Sequence, residues 1–342
     1  MAVTIKDVAN LAGVSPSTVS RTCNNHPSIS RETKEKVRKA MAQLGYEPAV
    51  SPAALNTDGF SYRSIGVILP PSEKEAYENS FYLEVMRGIS QFCNKRGYIA
   101  SVITGADENE IISAISAMNE NNVISGFIVM FSQKDNPIIS YLYDEGLTYV
   151  LIGNAFSNAN QTVYVDNDNI SAGHDATAYL CSLGHRRIAY LGSSSSLIFS
   201  ADRHSGYLLA LAESGIVPDR AYTVELNSVS DAAEPIRALL KSDNPPTAVV
   251  VSDDIFALAL ERVCMEEGID IPRDLSIVSF NNSIFASLTS AQLTTVDINS
   301  FQLGIEAASQ AINHIENPNL MATKIIVPHS IIERKSVTPI SE

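Results

Sequence analysis

TIKDVANLAGVSPSTVSRTCNNHPSISRETKEKVRKAMAQLGY, residues 4–46, reads as three short helices around one miniature core. Thr4 is an N-cap residue with Asp7 at the third helical position, where a carboxylate suits the free amides of a helix start. Ile5, Val8, Ala9 and Ala12 recur at i, i+3, i+4 and i+7, which makes one apolar stripe, and Gly13 stops the helix. Ser15 and Pro16 supply an N-cap and a first helical position, so a second helix follows a tight glycine turn. Ser30 caps a third helix, whose Val37, Ala40, Met41 and Leu44 repeat at helical spacing before Gly45. Val8, Val14, Val19, Val37 and Met41 are the candidate core. Left at the start of the second helix are Pro16, Ser17, Thr18, Ser20 and Arg21, small or hydrogen-bonding side chains suited to a DNA major groove. The unit is a helix-turn-helix.

A glycine turn and an N-cap occur in many helical bundles, whereas the residue order here is specific. TIKDVANLAGVSPSTVSR resembles the opening signature of the LacI/GalR family of bacterial repressors, and the resemblance covers essentially the whole chain. It implies a dimer on a pseudo-palindromic operator. Arg21 would read a base edge, with Ser17 and Pro16 tuning the choice, while Thr4, Ser15, Thr18, Ser20 and Asn24 hold phosphates.

The following EPAVSPAALNTDGFSYRS has the composition of a linker. In the family this position holds a hinge that becomes helical on DNA and wedges a leucine into the minor groove, with a pattern near Y-x-P-N-x-x-A-R-x-L. Tyr46, Pro48 and Leu55 match it; Ala49, Pro52 and Ala53 do not. The resemblance makes Leu55 the wedge, the alternative being a plain tether. The expected division is therefore a helix-turn-helix at 1–47, a hinge at 48–62 and an effector-binding core at 63–342.

Charge separates these parts. Residues 1–50 hold seven Lys/Arg against four Asp/Glu, while the whole chain carries −14. A body this acidic repels phosphate, which confines DNA contact to the N-terminus. Cys23, Cys93, Cys181 and Cys264 are far apart, with neither disulfide-framework nor zinc spacing, and read as reduced and cytosolic. No apolar run is long enough to span a membrane and no secretory signal opens the chain. No cofactor, metal or membrane partner is expected.

From Ser64 apolar strands alternate with amphipathic helices: strands at 65–69, 99–104, 126–131 and 149–153, then 187–192, 221–226, 248–252 and 276–281, with helices between them. Repeated βα favours parallel sheets covered on both faces, and two such runs mean an α/β core of two Rossmann-like lobes. TTVDINSFQLG opens a last strand and long helix, and KIIVPHSIIER reads as a final strand pair. The family resemblance adds three chain crossings between lobes, the periplasmic-binding-protein architecture, with a ligand cleft at the sheet ends.

No GxGxxG, P-loop or GxSxG occurs. His174-Asp175 lies within a helix and His185-Arg186-Arg187 in a helix-to-strand turn, where basic residues cap the outgoing helix. An enzyme has little to stand on, and the expected function is non-catalytic. A sugar site has more, since sugars need aromatic faces and forked polar groups at strand ends. Asn79-Ser80-Phe81-Tyr82 resembles the family's ligand-facing aromatic segment, the alternative for each ring of Phe81 and Tyr82 being core packing. An arginine opening the helix at DRHSGY is the family's commonest ligand contact, which carries to Arg203. Ser252-Asp253-Asp254 stands where the family usually has Asn-Asp, and Phe280-Asn281 where many members end the strand with Asp, which makes Asp253 and Asn281 candidates. In VDNDN, Asp166 and Asp168 read as helix caps rather than ligand contacts.

Within the family, YVDNDNISAG, Ser252-Asp253 and VDINSFQLG look closest to maltose-operon repressors of Gram-positive bacteria, which implies a maltose or maltodextrin effector. The family's tetramers carry a C-terminal leucine heptad, and this chain stops soon after IIERKS, so a homodimer is expected. The alternative from another class is a sugar-binding transport protein, which would share the core but not the N-terminal helices.

Overall fold

The structure, a computed structural model, describes residues 3–23, 29–46, 63–71, 79–121 and 123–340. It is an α/β protein with an N-terminal helix-turn-helix region and two six-stranded sheets.

Helices α1 (Ile5–Ala12), α2 (Pro16–Cys23) and α3 (Arg31–Leu44) enclose Val8, Ala9, Val19, Val37 and Ala40, with Val14 and Met41 packed alongside. Gly13 and Gly45 end α1 and α3 at φ +66° and +63°, the left-handed conformation that glycine adopts without steric cost. Thr4 donates from both its amide and its hydroxyl to Asp7, which holds the Asp7 carboxyl below its ordinary value. The Ser30 hydroxyl accepts from the Thr33 amide at the start of α3.

The first sheet has the order β11-β5-β4-β3-β1-β2, built from β1 (Arg63–Ile68), β2 (Tyr98–Ile103), β3 (Gly126–Val129), β4 (Tyr149–Ile152), β5 (Val163–Asp166) and β11 (Lys324–Ile326). Helices α4 (Ser80–Lys95), α5 (Glu108–Glu120) and α6 (Pro137–Asp144) connect its parallel strands. Register is set by pairs such as Ile65 with Gly126 and Phe127 with Tyr149. The core of this sheet gathers Ile68, Ile111, Ile115, Phe127, Val129 and Leu142.

The second sheet has the order β12-β10-β9-β8-β6-β7: β6 (Ile188–Gly192), β7 (Thr223–Glu225), β8 (Ala248–Val251), β9 (Ser276–Phe280), β10 (Thr294–Asp297) and β12 (Ser330–Ile332). Its helices are α7 (Asn169–Ser182), α8 (Ile198–Glu213), α9 (Ala233–Leu240), α10 (Asp254–Glu267) and the short α11 (Ile284–Leu288). Every residue of β6, β8 and β9 is buried, as continuous apolar strands covered on both faces should be. β12 runs antiparallel to β10. KII and SII are thus not a strand pair: they join different sheets, with α12 (Ser300–Glu316) leading into β11.

The chain passes from one sheet to the other after β5, after β10 and after β11. By packing it divides into two compact units, the first holding the N-terminal helices with most of the first sheet, the second holding residues 166–303, 326–342 and the start of α4 to Val85. No described helix is long and apolar enough to cross a membrane.

Candidate nucleic-acid interface and effector site

Three of the side chains expected on DNA form one hydroxyl cluster at the start of α2. Ser15 Oγ lies 2.8 Å from Ser17 Oγ and 2.9 Å from Thr18 Oγ1, and accepts from the Thr18 amide. Ser15 and Pro16 are exposed, and Ser17 and Thr18 partly so. Ser20 and Arg21 are less open than the sequence suggests, because within the first unit they meet the end of α6. Ser20 Oγ donates to the Glu145 carbonyl at 3.1 Å; Arg21 Nε donates to the Asp144 carbonyl at 2.6 Å, and its Nη2 pairs with the Asp144 carboxylate at 3.1 Å. A cation suits that helix end, where carbonyls lack partners. Asn24 and Leu55, with the hinge around them, lie outside the described residues.

The effector candidates fall in the second unit. α7 and α8 cross backbone against backbone there: a Cβ on Gly206 would stand 2.0 Å from the Ile170 carbonyl oxygen, and one on Gly173 2.1 Å from that of Arg203. Helical spacing places Asn169 four residues before Gly173 and Arg203 three before Gly206, so both side chains lie on the crossing faces. Arg203 is 3 % exposed. Its Nε donates to Asn169 Oδ1 at 2.9 Å and its Nη1 to the Ser252 carbonyl at 2.7 Å; Nη2 donates to no described residue. The guanidinium carbon sits 4.3 Å from the Phe280 ring centroid and 5.0 Å from that of Phe199. Burial lowers the guanidinium from its ordinary value, opposed by Tyr190, Asp253, Asp166 and Asp254, and the group stays charged.

Arg203 does not open its helix. α8 starts at Ile198, because Ile198 is buried and Ser200 Oγ donates back to the Ser193 carbonyl, which adds a turn before Asp202.

Asp253 caps α10 through Oδ1, which accepts from the Ile255 amide. Its Oδ2 accepts from Asn79 Nδ2 and Asn281 Nδ2, each at 2.9 Å. Burial raises the Asp253 carboxyl against those donors. Asn281 holds φ +93°, which asparagine tolerates better than most side chains, and its amide bonds the Val296 carbonyl. Asn79 also accepts from the Phe81 amide, so it ties the start of α4 to Asp253. Phe81 and Tyr82 meet edge to face at 5.3 Å; both are partly exposed, and neither joins the buried core. Asp254, fully buried, accepts from the Ser279 and Thr295 hydroxyls and the Ser283 amide, while burial pushes its carboxyl up to about 6.

Asp168 caps α7 through the Ser171 amide, whereas Asp166 does not cap it: Asp166 Oδ1 accepts from the Asn167 amide and from Asn169 Nδ2. Burial pushes the Asp166 carboxyl up to about 7. Asn169 is a contributor that sequence reasoning did not single out, and Asn79 was named only as part of the aromatic segment. A signal for Asn169 existed in its helical spacing to Gly173, although nothing local distinguishes it from a capping residue.

The histidine pairs have structural partners. His174 bridges Asp175 at 3.0 Å and Glu213 at 2.9 Å, and those carboxylates raise its affinity for a proton. Arg186 donates to the Ser214 carbonyl at the end of α8, so the helix it caps is the neighbour and not the outgoing one. All four cysteines are free, and burial pushes Cys93 to about 11 and Cys264 to about 12. Among the described residues no group of three or more His, Cys, Asp or Glu is placed to hold a metal.

Comparison with known proteins agrees with this architecture. Residues 4–49 match the model of bacterial regulatory proteins of the lacI family, and residues 177–337 that of the periplasmic binding protein-like domain. The HTH-type transcriptional regulator MalR of Streptococcus pneumoniae is 35 % identical over 340 residues, covering 98 % of this chain and 100 % of that protein. The solved complex of the transcriptional regulator CelR with cellobiose is 25 % identical with a TM-score of 0.76, covering 98 % of this chain and 100 % of that one. A probable maltose operon transcriptional repressor, malR of Staphylococcus aureus, is 26 % identical with a TM-score of 0.73, covering 80 % of this chain and 98 % of its own. With MalR of Streptococcus pneumoniae matched end to end at 35 % identity, and with three N-terminal helices followed by two six-stranded sheets, the chain belongs to the LacI family of bacterial regulatory proteins and is a transcriptional regulator close to MalR.

Proposed function

We propose that this protein is a cytoplasmic, dimeric, non-catalytic repressor. It reads a pseudo-palindromic operator through α2 and answers to a neutral oligosaccharide of the maltose type bound around Arg203. The division into a helix-turn-helix at 1–47, a hinge at 48–62 with Leu55 as its wedge, and a core at 63–342 is part of this reading. The N-terminal helices argue against a transport protein built on the same core.

The observation that carries the sugar assignment is the balance of groups around Arg203. One buried cation is surrounded by Asp166, Asp253 and Asp254 and by the amides of Asn169 and Asn281. A phosphorylated ligand would meet an excess of carboxylates, whereas vicinal hydroxyls both donate and accept. Phe81 and Tyr82 offer partly exposed faces for a pyranose, and there is no Trp for purine stacking. The cellobiose on CelR and the malR names point the same way. Calorimetry on the full-length protein with maltose, maltotriose, a phosphosugar and a purine tests this. Maltose or maltotriose should bind, and tight binding of the purine or phosphosugar with no response to maltose sinks the assignment.

On DNA, Arg21 reads a base edge, Ser17 and Pro16 tune the choice, and Thr4, Ser15, Thr18, Ser20 and Asn24 hold phosphates. To read a base, Arg21 must give up both its bond to the Asp144 carbonyl and its pair with the Asp144 carboxylate, so operator binding competes with this contact. Arg21→Ala should cost about 1–3 kcal/mol on the operator and much less on random DNA. Equal losses on both in a mobility-shift titration would deny Arg21 its base-reading role.

A further inference from the structure

The Arg203 guanidinium is connected through buried hydrogen bonds to every place where the chain changes sheets. Asn169 accepts from Arg203 Nε at 2.9 Å and donates through Nδ2 to Asp166 Oδ1 at 3.0 Å. The same Asp166 oxygen accepts from the Asn167 amide at 2.8 Å. Asn167 then spends both hydrogens of its side-chain amide on two distant carbonyls, Ile298 at 2.9 Å and Val327 at 2.8 Å. Ile298 follows β10 and Val327 follows β11, while Asn167 itself follows β5, so one planar amide ties all three crossing segments. The Val327 amide returns a bond to the Asp166 carbonyl at 2.8 Å. Asp166, Asn167 and Asn169 are all buried, so none of these bonds exchanges freely with water.

We propose that Asn169 is a positioning residue for Arg203, and that Asn169, Asp166 and Asn167 form a relay by which an effector gripped by Arg203 is registered at the three crossing segments. The inference rests on reading the Arg203 cluster as the effector site, but the hydrogen-bond chain itself can be tested without any ligand. A fork of two donors from one planar group fixes two acceptors relative to each other, which neither a hydroxyl nor a carboxylate at 167 can reproduce. Buried bonds of this kind transmit a displacement only where the element they bias has two arrangements, and operator binding with and without effector supplies those arrangements.

Hydrogen exchange on the full-length protein without ligand gives the first test. Arg203→Ala and Asn169→Ala should each speed exchange about tenfold or more at the Val327 amide and in the segments around 167–169 and 298–300. Ser205→Ala, on the exposed face of α8, should leave them unchanged. An Arg203→Ala effect confined to α8 and β8 overturns the relay.

The second test uses maltotriose and operator DNA. Asn167→Ala should bind maltotriose within about twofold of wild type, yet lose most of the change in operator affinity that the sugar causes. A purely structural role would lower stability without separating sugar affinity from that change, and full retention of the change overturns the proposal. Asn169→Asp keeps an acceptor for Arg203 but sets a carboxylate against Asp166; it should bind sugar better than Asn169→Ala while still losing the change. If the wild-type protein binds no sugar, the sugar assignment fails, and the exchange result alone decides the relay.

Discussion

Gly206→Ala is expected to lower the unfolding free energy by about 3–5 kcal/mol, measured by urea denaturation of the full-length protein. Two effects oppose each other at this position. Alanine is the better helix former by about 1 kcal/mol, so at an open helical site the substitution would stabilise. Here the added methyl would lie 2.0 Å from the Ile170 carbonyl oxygen and 2.6 Å from the His174 amide nitrogen, both backbone atoms of α7. Backbone cannot rotate aside as a side chain can, so α7 and α8 must separate, and the contacts beneath them go with it. Steric cost therefore decides the sign. Gly173→Ala should behave alike, since its methyl would meet the Arg203 backbone. Ser205→Ala, on the exposed face of α8, should change stability by no more than about 0.5 kcal/mol. A Gly206→Ala protein as stable as wild type would mean that the two helices are not in backbone contact.

Asp166→Asn should stabilise the protein at pH 8 and do little at pH 4. Burial raises the Asp166 carboxyl from 3.8 to about 7, so between those values the folded chain holds a proton that the unfolded chain has released. Unfolding then liberates a proton. Stability from this group is complete below pH 4 and is lost as pH rises through 7. A rise of this size amounts to about 4 kcal/mol if fully realised, and relaxation around the ion makes about 2–4 kcal/mol the range to look for. Asparagine retains an oxygen for the Asn167 amide and the Asn169 side chain but carries no charge to bury. Urea midpoints of the two proteins at pH 4, 6 and 8 should diverge with rising pH; parallel curves would place the Asp166 charge elsewhere in the balance.

The N-terminal helices were legible because their signals are short-ranged: caps, glycine stops and an apolar stripe all fall within one or two turns of each other. Alternation of apolar strands and amphipathic helices likewise announced two largely parallel sheets, though not the antiparallel β12. β5 escaped, since Val163–Asp166 is a four-residue strand set among polar residues and has no amphipathic period of its own. The true start of α8 was hidden because Leu197 offers no side-chain cap and the serines before it resemble a loop. KII and SII look like partners in sequence, and nothing local says that they enter different sheets. Among the effector candidates, Arg203, Asp253 and Asn281 do share one cluster with Phe280 and Asn79. Asn167 was beyond reach, because its carbonyl partners lie 131 and 160 residues away and no periodicity encodes such a pairing.

On the proposed reading of the Arg203 cluster as the effector site, the meeting of α7 and α8 at two glycines bears on how effector preference can be altered. Because no side chain intervenes at the crossing, the backbone of Arg203 is referenced directly to the helix that carries Asn169, and repacking elsewhere cannot shift one without the other. Asp253, at the start of α10, holds Asn79 beside the start of α4 and Asn281 on the loop after β9, and the rings at 81 and 82 follow Asn79 on α4. The partly exposed rings at 81 and 82 can vary in size, whereas buried Asp253 caps α10 and pairs with Asn79 and Asn281 and is constrained. If the Arg203 cluster is the effector site proposed above, directed diversification for a new ligand should leave residues 169, 173, 203 and 206 untouched and begin with the rings at 81 and 82.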